Sequence, residues 1–383
     1  MGCGFSDEDW QTRLECAEQE VFAAVPGLDM GQLRSFYALF RMYGQDYAVR
    51  CHVYNDDRSK KTLVFTHGYC LSAVLYSQML PALAKHYRIV MFDNLGFGLN
   101  RRVQDLGDAL ESPEKAERWL ISWWEHLIEA LEPELPAKFY LTGHSAGGFQ
   151  CMLYSSVHPE RIDGLFLQST ACSEDQTRPG WVYDPYTTRI QDQTDDLPKR
   201  SEVDAGIANY AANVHLQATL HKMPHWMVKA AMGGEVQKMC SPRFFTEAYR
   251  KAVATYYALM LQRVGQQDLV LQKQLMFFSY LHRSLHTPQR MMQDFEFPIA
   301  FQNGTRDFFG NAEGADTIVK NNRHYHSGRS QIFKIKNCGH NGQFDQPVEL
   351  TTLMIGFFEG TITNTFDLKP RREFTPDDQD DRI

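Results

Sequence analysis

The chain has 383 residues, of which 43% are hydrophobic and 22% charged, and a formal net charge of −8. That is the profile of a globular protein with room for one large α/β domain and an insertion, or for two ordinary domains. A net negative chain lacks the basic face that phosphate backbones require, which argues against nucleic acid as a partner, and no run of about 18 apolar residues offers a membrane span.

Residues 1–30 read as an N-terminal segment. Met1-Gly2-Cys3-Gly4-Phe5-Ser6 fits the Met-Gly-x-x-x-Ser/Thr myristoylation pattern. Cys3 beside Gly2 suits a palmitoyl chain, and two chains hold a protein at a membrane where one does so only marginally. The other reading is a short disordered start, with Ser6 capping the helix that follows; Asp7, Glu8 and Asp9 would also be repelled by anionic lipid. Trp10, Leu14, Ala17 and Val21 then recur at helical spacing until Pro26-Gly27 ends the element. The eight cysteines (Cys3, Cys16, Cys51, Cys70, Cys151, Cys172, Cys240, Cys338) are scattered and contain no Cys-x-x-Cys pair. The expectation is free thiols in a reducing compartment, the cytoplasm, with membrane association if Gly2 and Cys3 are acylated.

Two β-rich runs, 34–41 and 47–54, read as an antiparallel pair joined by Tyr43-Gly44-Gln45-Asp46. From Thr62 short apolar strands (62–66, 88–93, 138–142, 162–168) alternate with helical stretches, notably 114–131 and 146–157. That alternation predicts a mostly parallel sheet with helices on both faces. It stops at residue 173: residues 173–293 are rich in Met, Tyr, His and Gln, hold no convincing buried strand, and include helical patches such as 245–264. Alternation resumes with 298–303, 332–335 and a helix over 347–358. The reading is an α/β core in two parts, 31–172 and 294–366, interrupted by a helical cap over 173–293. The tail 367–383 is charged and expected to be disordered.

Gly143-His144-Ser145-Ala146-Gly147 is a G-x-S-x-G sequence between a predicted strand and a predicted helix, the context a nucleophile elbow requires. The tight turn lifts the serine hydroxyl above the sheet and needs small flanking residues. An Asp nucleophile, as epoxide or haloalkane hydrolysis would need, is absent from this turn. The loop after the strand 62–66 carries His67-Gly68-Tyr69, so the expected oxyanion donors are the backbone N–H groups of Tyr69 and Ala146. His67 and His144 read as structural. Elbow enzymes of this kind order their triad Ser, acid, His. His340 follows the last strand and precedes the last helix, which makes it the candidate base. Asp307 lies just past the strand 298–303 and is the candidate acid. Asp175 is its competitor, and Asp316, a helix residue, fits less well.

The chain resembles the α/β-hydrolase domain-containing proteins four and five and the related plant lipases and acyltransferases. Thr66-His67-Gly68-Tyr69, Phe92-Asp93-Asn94-Leu95-Gly96-Phe97-Gly98, Gly143–Phe149 and His340–Pro347 carry the likeness, over roughly residues 34–360. It implies an α/β-hydrolase fold with an inserted helical cap, and a serine esterase or lipase needing no metal or organic cofactor. His340 and Asp345 match a His-x-x-x-x-Asp spacing that, by the resemblance, goes with acyl transfer to lysophosphatidic acid. Asp345 before Gln346-Pro347 could equally cap the last helix. Leu99-Asn100 stands where the family carries a small polar residue after Gly98. Three functions are therefore expected to compete: hydrolysis of (phospho)lipid acyl esters, transfer to a lysophospholipid, and a catalytically silent lipid- or partner-binding protein. The cap's Tyr256, Tyr257, Met260, Met276, Phe277, Phe278 and Tyr280 line an acyl channel in one reading and form the cap's own core in another.

Overall fold

A computed structural model describes residues 7–100, 106–170, 223–262, 275–276, 280–281, 295–307 and 312–362. Its framework is one eight-stranded sheet: β1 (Leu33–Met42), β2 (Gln45–Tyr54), β3 (Lys61–Thr66), β4 (Tyr87–Phe92), β5 (Phe139–His144), β6 (Ile162–Gln168), β7 (Ile299–Gly304) and β8 (Gln331–Ile335). The strand order is β1-β2-β4-β3-β5-β6-β7-β8. β2 runs antiparallel to both its neighbours, and every other pairing is parallel. The inner strands are almost continuously apolar because helices cover them on both faces.

Side chains alternate across the sheet, so it separates two apolar cores. Leu63, Phe65, Ile89, Met91, Phe166 and Phe333 point into one. Val64, Val90, Phe92, Leu141, Leu165 and Leu167 point into the other. The second core is closed by α3 (Pro113–Ala130), whose Trp119, Trp123 and Trp124 are buried, and by α4 (Ala146–Val157). Ser112 starts α3 by accepting the Lys115 N–H, and Pro113 at the first helical position has no N–H to leave unpaired there. A 3-10 turn, Ala73–Met79, with the short α2 (Leu80–Leu83), and a long helix near the C-terminus close the first core.

That first core also takes in α1 (Asp7–Ala23) and two helices of the inserted segment, α5 (His225–Met239) and α6 (Glu247–Leu261). Trp10, Leu14, Ala17 and Val21 form the expected apolar stripe, and α1 packs along α6. Trp10 also meets the His225 ring edge-on at 6.1 Å. The polar side of α1 is tied down as well. Glu18 is fully buried and accepts hydrogen bonds from Arg50 (2.6 Å from Nη2), with His52 Nε2 at 3.4 Å. Burial works to raise the Glu18 carboxyl, but the neighbouring His52 and Arg50 side chains hold it below its ordinary range.

Three expectations change. The link between β1 and β2 is the two residues Tyr43 and Gly44, both at positive φ (48° and 77°), a type I′ hairpin, and Gln45-Asp46 already belong to β2. The inserted segment is not wholly helical, because Leu275–Met276 pairs antiparallel with Tyr280–Leu281. The helix expected over 245–264 spans Glu247–Leu261, with Thr246 accepting the Tyr249 N–H as its cap. Residues 1–6, carrying Gly2 and Cys3, lie outside the described residues, as do Asp175, Phe277, Phe278 and the tail 367–383. Cys16, Cys51, Cys70, Cys151, Cys240 and Cys338 are free thiols. Among the described residues no helix is long and apolar enough to cross a membrane, and no cluster of His, Cys, Asp or Glu could hold a metal ion.

Candidate active site

β5 runs into α4 through one residue, Ser145, whose φ of 52° and ψ of −119° fall in a region that L-residues rarely occupy. The surrounding structure enforces that conformation. The Ser145 N–H donates to the Gln168 carbonyl (2.9 Å), and its own carbonyl accepts from Phe149 N–H (3.0 Å) and Thr170 Oγ1 (3.3 Å). Gly147 is required just beyond, because a Cβ there would collide with the His67 carbonyl of the neighbouring loop. The elbow thus lies directly against the loop that follows β3. Ser145 itself is only 9% exposed.

β7 ends at Gly304, where a Cβ would collide with the Cys338 carbonyl. This close approach lets the loops after β7 and β8 meet, and Arg306 N–H donates to the Cys338 carbonyl (2.9 Å). The result brings Asp307 and His340 together. His340 Nδ1 donates to Asp307 Oδ1 at 3.0 Å, and His340 Nε2 lies 2.9 Å from Ser145 Oγ. Asp307 is 4% exposed, so its carboxylate meets the imidazole away from bulk water. The structure therefore joins the three residues expected as nucleophile, acid and base. Asp316 lies away from them on α7 (Ala312–Asn321), where it pairs with Lys320.

Gly68, Tyr69 and Ala146 line one small pocket with Asn94, Leu95, Phe97, Trp119, Leu120, Trp123 and Gln150. The two residues expected to carry the oxyanion donors thus line one cavity, whose lining does not include Ser145 or His340. The loop bearing Tyr69 is held by His67, which is buried and neutral. Its Nδ1–H donates to the Gly68 carbonyl (2.7 Å), and its Nε2 accepts from Asn94 N–H (2.8 Å). Burial pushes the His67 pKa down to about 4.

Sequence reasoning missed the groups that brace this loop from below. Asp93, fully buried at the end of β4, accepts from Ala73 N–H (2.7 Å) and Leu99 N–H (3.3 Å), and burial raises its pKa to about 7. Asn100 donates to the Asp93 and Asn94 carbonyls and accepts from Arg50 N–H (2.6 Å). The departure at Leu99-Asn100 is therefore a built part of the fold: Leu99 fills the core and Asn100 ties the Asp93-Asn94 backbone to Arg50 of β2. The segment Phe92–Gly98 stands out in the sequence, but its hydrogen-bonding role does not.

Asp345 sits at the end of α8 (Gly342–Asp345), before α9 (Pro347–Glu359). It does not cap α9; Gln346 occupies that position and makes no side-chain cap bond. Asp345 Oδ2 instead accepts from Gly339 N–H at 2.7 Å, the residue before His340. Burial raises its pKa. Of the cap residues expected as channel or core, Tyr256 and Met260 are buried in the first core and Tyr257 packs against it.

An eight-stranded, mostly parallel sheet with a serine on a strained turn after its fifth strand defines the hydrolase class of α/β proteins. The chain belongs to the alpha/beta hydrolase fold family, whose model matches residues 61–347. Among curated relatives, it is 34% identical over 110 residues to a 1-acylglycerol-3-phosphate O-acyltransferase of Arabidopsis thaliana, covering 29% of this chain and 25% of that protein. It is 30% identical over 112 residues to a pimeloyl-(acyl-carrier protein) methyl ester esterase of Aeromonas hydrophila, covering 29% of this chain and 38% of the esterase. The matches thus span less than two fifths of either relative. Among solved structures, a carboxylesterase of Bacillus subtilis superposes with a TM-score of 0.58 at 12% identity, over 92% of this chain and 99% of that one. A membrane phospholipase A superposes with a TM-score of 0.54 at 16% identity, over 91% and 90% of the two chains. Likeness at such identities concerns the fold alone.

Proposed function

We propose that this chain is a serine hydrolase of acyl esters, with lipid or phospholipid esters as its substrate class. The observation that carries the reading is the continuous hydrogen-bonded line from Asp307 Oδ1 through both ring nitrogens of His340 to Ser145 Oγ, at 3.0 and 2.9 Å. In this reading His340 Nε2 takes the Ser145 proton as Oγ attacks the ester carbonyl carbon, and Asp307 stabilises the imidazolium that forms. The backbone N–H groups of Tyr69 and Ala146 receive the oxyanion, a contribution worth a few kcal/mol. His340 then protonates the departing alcohol and leaves an acyl-Ser145 ester. Water, deprotonated by His340, releases the acid. No metal or organic cofactor enters these steps. Residues 173–293 act as the cap over Ser145, and Gly2 and Cys3, once acylated, give peripheral membrane contact.

The lipid substrate is supported by the plant relatives, whose names describe acyl transfer to 1-acylglycerol-3-phosphate. The same relatives also favour a second reading, in which a lysophospholipid hydroxyl replaces water as the acceptor of the acyl group. A fluorophosphonate probe should label the wild type and spare Ser145→Ala, whose ester turnover should fall by roughly 10⁴- to 10⁶-fold. A folded wild type that resists the probe would leave a silent binding protein in its place. Product analysis with and without lysophosphatidic acid then separates hydrolysis from transfer.

A further inference from the structure

Residue 144, the x before the serine in G-x-S-x-G, carries a side chain that the chemistry above does not use. His144 is buried, and its ring lies among three parts of the site. Its Nε2 is 2.8 Å from the backbone carbonyl oxygen of His340. A carbonyl can only accept, so Nε2 carries the proton and the ring is the Nε2–H tautomer. Its Nδ1 has no hydrogen-bond partner among the described residues and faces the Cα of Gly68, where a Cβ would come within 2.6 Å. An imidazolium would bury an N–H at that spot with nothing to receive it. Burial, with the His340 ring nearby, accordingly pushes the His144 pKa down to about 3. The two imidazoles sit 4.9 Å apart at 49°, and the Tyr76 ring is 6.0 Å from that of His144.

We infer that His144 is a positioning residue: its Nε2–H fastens the backbone of His340 to the nucleophile elbow, fixing the distance across which Ser145 loses its proton. The inference rests on the serine-hydrolase reading and deepens it. His340 reaches the site on a loop between β8 and α8, and β6 and β7 separate β8 from β5 in the sheet. Asp307 orients the ring of His340 about Nδ1, and Arg306 and Asp345 hold the backbone of Cys338 and Gly339 just before it. The bond from His144 ties the same loop to the elbow. Because it starts from the residue next to Ser145, elbow and base move together. Gly68 is the complementary requirement, since any side chain there would drive the His144 ring away from its acceptor.

The test uses two substitutions in the full chain and reads the second-order rate of fluorophosphonate labelling together with kcat and KM on a soluble ester. His144→Phe keeps the ring and removes the donor. It should slow labelling and lower kcat by about 100-fold, the scale of a displacement of roughly 1 Å in a reacting geometry, while KM changes less than about threefold. His144→Gln restores an amide N–H near the position of Nε2 and should recover to within about tenfold of wild type. Wild-type rates in a folded Phe variant, or equal losses in both variants, would overturn the inference in favour of simple packing. Nitrogen-15 NMR of the wild-type imidazoles gives a reading that needs no variant to fold. A protonated Nε2 at His144 at neutral pH is expected, and a protonated Nδ1 would overturn the proposal. If wild type were folded yet unlabelled, the serine-hydrolase reading would fail while the NMR result still reported on the bond itself.

Discussion

The Asp345 carboxylate turns back along the chain and takes the Gly339 N–H, which anchors the loop one residue from His340. The consequence is a testable asymmetry between variants. Asp345→Ala leaves a half-buried N–H without its acceptor, a cost toward the lower end of about 1–3 kcal/mol. Hydrolysis and any transfer to lysophosphatidic acid should fall in parallel, by roughly tenfold as a loop shift of well under 1 Å would give, and Asp345→Asn should retain most of both. A variant that lost transfer and kept full hydrolysis would instead mark Asp345 as an acceptor-binding residue. The spacing of Asp345 from His340 is visible in the sequence, and an Asp ahead of Gln-Pro is an ordinary way to begin a helix. Nothing in spacing distinguishes a side chain that caps forward from one that caps backward, since both need a short acceptor at the same position. Ser145, His340 and Asp307 are legible because each sits at the C-terminal end of a recognisable strand. Asp93 and Asn100 are not, because a buried carboxylate and amide that bind only backbone leave no pattern.

Among the elements, α1 is the clearest case of a face predicted without its partner. Periodicity identifies Trp10, Leu14, Ala17 and Val21 as a buried stripe, but it cannot say what buries them; the answer, α6, lies in the inserted segment. The polar side is equally committed. Glu18 has no exposed surface and pairs with Arg50 on β2, with His52 beside it. Removing one member of a buried ion pair leaves the others uncompensated, which typically costs about 3–5 kcal/mol. Glu18→Ala should therefore lower stability by about that amount in a urea titration. A loss within about 0.5 kcal/mol would mean that α1 adds little to the folded state. The sheet is readable from its apolar runs to within a residue or two. α5 is not, because Gly233-Gly234 interrupts it and its buried residues, Val228, Met232 and Val236, make a narrow stripe. The hairpin link reads two residues too long because Gln45 and Asp46 look like turn residues, although the turn's positive φ values end at Gly44.

At the scale of the whole molecule, the response to acid follows from groups buried in an uncharged or poorly solvated state. His67 and His144 are held to about 4 and about 3 against an ordinary value of 6.5, so the unfolded chain binds protons that the folded one refuses. Their contribution is complete above about pH 6.5 and is lost as pH falls toward 4, at about 1.4 kcal/mol per pH unit for each group. Asp93, raised to about 7, acts with the opposite sign, as do Asp345 and Glu349, which burial also raises: folding takes up their protons, so acid favours the fold through these carboxyls. The two histidines set the expectation that the urea midpoint is lower at pH 5 than at pH 7. An equal or higher midpoint at pH 5 would show that the raised carboxyls outweigh the histidines or that a histidine is not held neutral. The packing of α1 on α6 has a further bearing, on the order in which the molecule can be made. The helix that covers Trp10 and Leu14 is translated roughly 240 residues after them. At about 5–20 residues per second, that stripe waits some 12–50 s at the ribosome with its oily side bare, long enough for a chaperone to hold it.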